Sequence, residues 1–265
     1  METPAIQFET SGGAGKPLVL IHGLGGSARS WDRIIGHLQD HRELVVLDLP
    51  GHGRSPASQQ DTTFSGLVHS VEAFLHTQDL HDDADIVRSS LGGRIVLELS
   101  RCGAVASAIA LDPAGFWRGW ERHYVFASLM GMIKLIRGLG SLIHSLAKPS
   151  IRPISFHQLS YNPSHLPEDF VSGEVKSCHE APNFEAIIKD LTSIAPQQGP
   201  AAKNVRSVAI GWGRQDRLSF PRQRRRAQAA LPGASLHWFD RCGHFPMWDQ
   251  PLDTARFIRR TLDIE

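Results

Sequence analysis

Cysteine is scarce in this chain of 265 residues, and Cys102, Cys178 and Cys242 are widely spaced, with no Cys-x-x-Cys pair among them. Such a set argues against a disulfide framework and against a zinc site. An excess of charge of one sign is also lacking, because 28 Lys and Arg residues are balanced by 27 Asp and Glu residues. This balance offers no electrostatic attraction for nucleic acid or for an acidic membrane surface.

A long uninterrupted hydrophobic run is missing as well. The longest apolar stretch, residues 124–147, is broken by Lys134, Arg137 and His144, and charges near its centre disfavour a membrane span. Residues 1–15 are polar and lack the hydrophobic centre of a signal peptide. We therefore expect a cytoplasmic protein without a membrane span, and the sequence carries no signal for an oligomeric state.

What the sequence does contain is an alternation of strand and helix patterns, which is typical of a mostly parallel sheet covered by helices. Short apolar runs predict strands at residues 17–22, 44–48, 85–87, 108–111, 205–212 and 235–239. The alternation stops at Ala114, and up to about Pro200 only helical patterns occur. We predict one α/β core domain formed by residues 1–113 and 201–265, interrupted by a helical cap at residues 114–200.

The strongest chemical signal lies at residues 85–94, where an apolar run ends in Ser89 and Ser90 and a helical pattern follows. This is close to Gly-x-Ser-x-Gly, a sharp strand-to-helix turn that exposes a serine hydroxyl as a nucleophile. Gly92 stands two places after Ser90, whereas counting from Ser89 places Leu91 there. The register therefore favours Ser90 as the nucleophile.

Arg88 departs from this pattern, because it occupies the position of the first glycine. A long side chain where strand and helix nearly touch would cost roughly 1–3 kcal/mol by overpacking. Three outcomes are open: the side chain reaches the surface beside an intact turn, the turn shifts and misplaces Ser90, or the enzyme is impaired. Retention of a complete catalytic set favours the first two.

A serine hydroxyl needs a base to take its proton and a carboxylate to orient that base. The candidate acid is Asp216, just after a predicted strand, and the candidate base is His244, in a loop after the last predicted strand. Asp112 is a rival acid at the end of the preceding strand, but a proline follows it directly. The order serine, acid, histidine differs from the orders in chymotrypsin-like and subtilisin-like enzymes.

Backbone N–H groups are the candidates for stabilising an oxyanion. One belongs to Leu91, directly after Ser90 at the start of a helix, and the other to Leu24, in a glycine-rich loop after the first buried strand. Glycines in that loop allow the backbone to approach a substrate oxygen closely.

Five motifs in this order resemble those of the α/β-hydrolase superfamily: residues 22–26 (His-Gly-Leu-Gly-Gly), 48–55 (Asp-Leu-Pro-Gly-His-Gly-Arg-Ser), 89–93 (Ser-Ser-Leu-Gly-Gly), 213–216 (Gly-Arg-Gln-Asp) and 243–246 (Gly-His-Phe-Pro). The resemblance implies an α/β-hydrolase fold with about eight strands and a helical cap inserted after the sixth. Relatives that open epoxides or dehalogenate haloalkanes use aspartate at the turn, so the serine disfavours those activities.

These features predict a serine hydrolase that cleaves a small, mainly apolar ester or related carbonyl substrate through an acyl-enzyme on Ser90, with neither metal nor cofactor. The substrate-binding candidates are Gly23, Trp117, Trp120, Leu129 and Phe245. Carbon–carbon bond cleavage on the same residues is the first alternative. The second is a ligand-binding protein with impaired turnover, because Arg88 replaces the glycine of the turn.

Overall fold

The computed structural model describes residues 6–13, 15–81 and 84–264, and a seven-stranded sheet runs through its centre. The strands are β1 (Phe8–Gly12), β2 (Leu18–Ile21), β3 (Glu43–Leu47), β4 (Asp85–Ser89), β5 (Ser107–Leu111), β6 (Ser207–Gly213) and β7 (Ser235–Phe239). They lie in the order β1-β3-β2-β4-β5-β6-β7, with β1 antiparallel to β3 and every other pair parallel. The predicted α/β fold with a mostly parallel sheet is confirmed.

The strand count differs from the expectation by one. We expected about eight strands and a cap after the sixth, whereas the described residues form seven strands and the cap follows β5. Each of the six apolar runs forms a strand, and β1 is the strand that the apolar pattern missed. Its residues are largely polar and exposed, because it lies at the edge of the sheet and pairs with β3 alone.

Helices cover the sheet and form the insertion. The α-helices are α1 (Asp32–Ile35), α2 (Phe64–Thr77), α3 (Leu91–Cys102), α4 (Trp120–Leu139), α5 (Arg152–Ser155), α6 (Glu168–Glu180), α7 (Phe184–Ser193), α8 (Arg224–Ala230), α9 (Pro246–Asp249) and α10 (Pro251–Thr261). Short 3₁₀ helices span Ala28–Trp31, Gln60–Thr62, Gly140–Ala147, Pro163–His165 and Pro221–Gln223. Between β5 and β6 the described chain is helical or irregular, and its helices α4 to α7 lie within the predicted cap.

One helical segment of the described chain, Trp120–Ala147, has the length and composition of a membrane-crossing helix, with a mean hydropathy of 1.4. It consists of α4 and the 3₁₀ helix that follows it. Val125, Ile133 and Ile143 from this segment are buried within the protein. Its apolar composition therefore also suits a cap helix, and the absence of a membrane span stays a prediction.

The turn between β4 and α3 depends on a close backbone approach. Ser90 adopts φ 53° and ψ −116°, a conformation that residues other than glycine rarely enter. A Cβ atom on Gly92 would lie 2.6 Å from the carbonyl oxygen of His22 and 3.1 Å from that of Ile21. A side chain at position 92 would therefore push the start of α3 away from the loop after β2.

Replacing Gly92 with alanine is expected to lower the free energy of unfolding by about 1–3 kcal/mol, because the added methyl group collides with backbone rather than with a flexible side chain. Denaturant unfolding followed by circular dichroism measures the change. Gly131→Ala is the matched control, since Gly131 lies in α4 with open space around it. That control should gain up to about 1 kcal/mol from helix propensity. Equal stability of the two variants would contradict the close approach.

Candidate active site

Three predicted residues from separate loops form one hydrogen-bonded chain at the carboxyl ends of the parallel strands. The Ser90 hydroxyl donates to His244 Nε2 across 2.8 Å, and His244 Nδ1 donates to Asp216 Oδ2 across 2.8 Å. His244 and Asp216 are buried. The neighbouring Ser89 hydroxyl is also buried, and it has no hydrogen-bond partner among the described residues. The serine in contact with the histidine is thus the one that the register favoured.

The second oxygen of Asp216 fixes the orientation of its carboxylate. Asp216 Oδ1 accepts hydrogen bonds from the backbone N–H groups of Leu218 at 2.7 Å and Ser219 at 2.9 Å. With these donors on one oxygen, the other points at His244. A carboxylate held in this way keeps the imidazole in the tautomer whose Nε2 can accept the serine proton.

Asp112, the rival acid, lies beside Asp216 rather than in its place. Its Oδ1 accepts a hydrogen bond from the Gly213 N–H at 2.9 Å. Burial, followed by repulsion from the Asp216 carboxylate, raises the pKa of Asp112 well above its usual value. Asp216 is the acid that contacts the histidine, whereas Asp112 Oδ2 has no hydrogen-bond partner among the described residues. The two acids together with His244 bring potential ligand atoms within 4.8 Å of one another, but the His244–Asp216 hydrogen bond already occupies two of those atoms.

The loop that carries His244 is anchored partly by the cap. The His244 N–H donates to the carbonyl of Leu159 at 2.9 Å, and the Gly243 N–H donates to Asp249 Oδ2 at 2.7 Å. Asp249 also accepts a hydrogen bond from the Ser160 hydroxyl at 2.5 Å. The segment at 159–160 therefore helps to hold the candidate base in place.

The glycine-rich loop after β2 is shaped by His22. Its Nδ1 donates to the carbonyl of Gly23 at 2.7 Å, and its Nε2 accepts from the Leu49 N–H at 2.9 Å. Burial lowers the pKa of His22, so the ring stays neutral in this bridging role. A Cβ on Gly23 would lie 3.1 Å from that of Ser90, which places this loop directly beside the nucleophile. Leu24 and Leu91 line the smaller cavity together with Ser90, and the oxyanion role of their N–H groups stays a prediction.

Arg88 behaves differently from the expectation that it reaches the surface. Its side chain is fully buried, because β4 lies between β2 and β5 in the middle of a covered sheet. None of its three guanidinium nitrogens has a hydrogen-bond partner among the described residues. Burial lowers the pKa of this guanidinium well below its usual value. The turn at Ser90 is nevertheless intact. We expect the buried guanidinium to lower the free energy of unfolding instead.

Two cavities meet at Ser90. The main cavity, about 840 Å³ and open on one side, is lined chiefly by apolar side chains of the core and the cap, including Leu129, Met132, Leu146, Phe156, Val175 and Trp248. The smaller cavity, about 280 Å³, is bordered by Ala114, Trp117, Val125, Ile188 and Leu191. Ser90, Leu24, Leu129 and Leu218 border both.

Four of the five predicted substrate-binding residues line these cavities. Gly23, Leu129 and Phe245 border the main cavity, and Trp117 borders the smaller one. Trp120 borders neither: its side chain is 58% exposed and packs against Phe220 and Arg222. Trp120 lies in the first turn of α4 and faces outward. The presence of an aromatic residue at this position in the sequence does not show which way its side chain faces.

Sequence reasoning missed the acidic residue of the main cavity, Glu174 on α6, as well as the polar Ser30 and Ser155. Its carboxyl group is buried, and burial raises its pKa to about 8. No motif marks this residue, and only the packing of α6 over the glycine-rich loop places it there. Arg94, one helical turn after Ser90, lies outside both cavities and donates to the carbonyls of Leu191 and Ala195.

Comparisons with known proteins agree with this architecture. Residues 18–257 match the alpha/beta hydrolase family. A 2-hydroxy-6-oxo-6-phenylhexa-2,4-dienoate hydrolase of Burkholderia cepacia is 26% identical over 269 residues, covering 95% of this chain and 88% of the relative. A thermophilic esterase of Thermogutta terrifontis has a TM-score of 0.76 at 18% identity, covering 97% of this chain and 93% of that one. A putative lipase of Acinetobacter baumannii has a TM-score of 0.76 at 20% identity, covering 97% and 87%. The two solved structures establish the likeness of fold.

Replacing Arg88 with methionine is expected to raise the free energy of unfolding by at least about 1 kcal/mol, because it removes a buried cation without leaving a large cavity. Arg88→Gly should gain less, since glycine leaves the volume of the side chain empty. Thermal and denaturant unfolding of both variants measure the changes. A methionine variant less stable than the natural protein would show that the buried guanidinium is favourably solvated.

Proposed function

This chain belongs to the alpha/beta hydrolase family, and on that premise we propose that it is a serine hydrolase that cleaves small, mainly apolar esters. The observation that carries the proposal is the continuous chain of two hydrogen bonds, each 2.8 Å long, from Ser90 through His244 to Asp216. Such a chain activates a hydroxyl that is otherwise a weak nucleophile at neutral pH. Ser90 also borders both cavities, so a bound carbonyl can reach its oxygen.

In the first half of the reaction, His244 Nε2 accepts the Ser90 proton while Ser90 Oγ attacks the carbonyl carbon of the ester. The oxyanion that forms accepts hydrogen bonds from the N–H groups of Leu24 and Leu91. His244 then returns the proton to the leaving alkoxide, which departs as the alcohol. The acyl group remains on Ser90 as an ester.

In the second half, His244 accepts a proton from a water molecule that attacks the acyl-enzyme. The second oxyanion collapses, the proton returns to Ser90 Oγ, and the carboxylic acid leaves. Asp216 accepts the hydrogen bond from His244 Nδ1 and stabilises the imidazolium formed in each half. This two-step hydrolysis consumes only the ester and one water molecule, and it needs no reductant, oxidant or metal.

The walls of the cavities support a mainly apolar substrate. Burial of alkyl groups against leucine, isoleucine and aromatic side chains contributes about 25 cal/mol for each Å² removed from water. The main cavity takes the longer group of the ester and the smaller cavity takes the shorter one. This division follows from their volumes, about 840 and 280 Å³.

Carbon–carbon bond cleavage is the alternative suggested by the Burkholderia cepacia relative, whose substrate name denotes a carboxylate. A buried carboxylate needs a cationic or hydrogen-bonding partner. Neither cavity has a lysine or arginine among its described lining residues, and the main cavity contains the acidic Glu174. Arg94 is engaged with backbone carbonyls elsewhere. These features favour an uncharged ester over an anionic dienoate.

Labelling with a fluorophosphonate probe tests the assignment of the nucleophile. We expect labelling of the natural protein and turnover of p-nitrophenyl esters from acetate to octanoate, with both lost in Ser90→Ala. Ser89→Ala is the matched control and should keep both, because the Ser89 hydroxyl has no hydrogen-bond partner among the described residues. Labelling that persists in Ser90→Ala, or a natural protein that neither reacts nor turns over esters, would refute the proposal.

The roles of the two buried acids can be separated by isosteric substitution. Asp216→Asn is expected to lower kcat by about 10⁴-fold, because an amide does not hold the histidine in the required tautomer. Asp112→Asn should retain kcat within a few-fold, since the histidine bonds to Asp216 and an asparagine oxygen can still accept from the Gly213 N–H. Steady-state kinetics on one p-nitrophenyl ester measures both. Equal losses in the two variants would contradict the division of roles.

A further inference from the structure

A buried acid lies in the wall of an otherwise apolar cavity. Glu174 is the only carboxylate among the described residues that line the two cavities next to Ser90. Its residue is 6% exposed, and its neighbours along the main cavity include Val175, Cys178 and Gly26. Placing a carboxyl group in such surroundings is unfavourable unless it has hydrogen-bond partners. The proposed reaction makes no use of it.

The hydrogen bonds available to Glu174 leave much of its capacity unused. Among the described residues, only the Ser30 hydroxyl donates to it, at 3.0 Å from each carboxyl oxygen. A hydroxyl has one proton, whereas a protonated carboxyl group offers several acceptor sites and an O–H donor of its own. Arg29, the nearest cation acting on it, forms its ion pair with Asp32 at 3.5 Å instead. The carboxyl group of Glu174 therefore lines the main cavity with hydrogen-bonding capacity that no described residue uses.

The charge state of Glu174 narrows the kind of group that it can bind. Burial raises the pKa of Glu174 to about 8, the nearby Asp32 adds to this rise, and Arg29 opposes it. The thiol of Cys178, one turn further along α6, is also neutral, because burial raises its pKa to about 12. At neutral pH the part of the cavity wall formed by Glu174 and Cys178 is therefore uncharged. Binding a cation there would require Glu174 to lose its proton. A neutral hydroxyl carries no such requirement.

We propose that Glu174 is a substrate-recognition residue, and that the part of the ester held in the main cavity ends in a hydroxyl group. This inference rests on the proposed esterase function and specifies its substrate class: an apolar chain with one terminal alcohol. The hydroxyl donates to a Glu174 oxygen and completes the partial set of hydrogen bonds that Ser30 begins. A methyl group in the same place leaves Glu174 with Ser30 alone.

Matched ester pairs that differ only in a terminal hydroxyl test the inference. Hexyl acetate is compared with 6-hydroxyhexyl acetate, and methyl hexanoate with methyl 6-hydroxyhexanoate, so that the alcohol side and the acyl side are both probed. Acid release in a pH-stat gives kcat/KM for each. We expect the hydroxylated ester of at least one pair to be preferred, by an amount that depends on Glu174.

Three variants isolate the contribution of the carboxyl group. Glu174→Met should lower the ratio of kcat/KM for hydroxylated over unsubstituted ester by about tenfold, the effect of one neutral hydrogen bond. Glu174→Gln should restore most of the ratio, since an amide also accepts a hydrogen bond. Glu180→Met is the control: it is the same substitution on α6 at an exposed site, where Glu180 pairs with Lys176, and it should leave the ratio unchanged.

The inference is overturned if the ratio is the same in Glu174→Met and the natural protein, or if methionine and glutamine slow all esters equally, which would indicate a purely structural tie to Ser30. It is separable from the esterase proposal. If no ester is hydrolysed, stabilisation of the protein by 1,6-hexanediol compared with 1-hexanol still tests Glu174. The diol should raise Tm more than hexanol in the natural protein and in Glu174→Gln. Equal shifts in Glu174→Met and the natural protein would contradict recognition.

Discussion

The contact between the backbone at Gly92 and the carbonyl of His22 is the constraint on which the rest of the site depends. It lets α3 begin directly at the end of β4 and forces Ser90 into its positive φ. The Ser90 N–H donates to the Leu111 carbonyl at 2.9 Å, and the Ser90 carbonyl accepts from Ala114 at 3.1 Å. Both hydrogen bonds join the proposed nucleophile to the end of β5 and the residues just after it. Its hydroxyl has a defined direction before any substrate binds.

The turn at Ser90 forms even though residue 88, two positions earlier, is not the expected glycine. A fully buried arginine replaces the glycine expected there, yet Ser90 still reaches His244. The backbone hydrogen bonds of Ser90 and the close approach at Gly92 are kept with an arginine at position 88. We expect the buried guanidinium to lower the free energy of unfolding rather than to dismantle the site.

Residues of the predicted cap contact the candidate site and line its cavities. The His244 N–H donates a hydrogen bond to the carbonyl of Leu159, and the Glu174 carboxyl group accepts one from the Ser30 hydroxyl of the core. The cap also contributes Leu129 to both cavities. Displacing the cap would consequently disturb the position of the base and the shape of the binding space together. Substrate selection and catalytic geometry are coupled through the same few helices.

The order of strands and helices, and the identity of Ser90, Asp216 and His244, could be predicted from the sequence, because apolar runs and glycine-dependent turns are local properties of the chain. The polar edge strand β1 could not, since its partner β3 rather than its own pattern makes it a strand. Tertiary structure alone decided that Arg88 is buried, that Asp216 rather than Asp112 is hydrogen-bonded to His244, that Trp120 lies outside the cavities and that Glu174 lies within one. Each of these depends on distances between elements far apart in the chain, and residue type and spacing do not specify those distances.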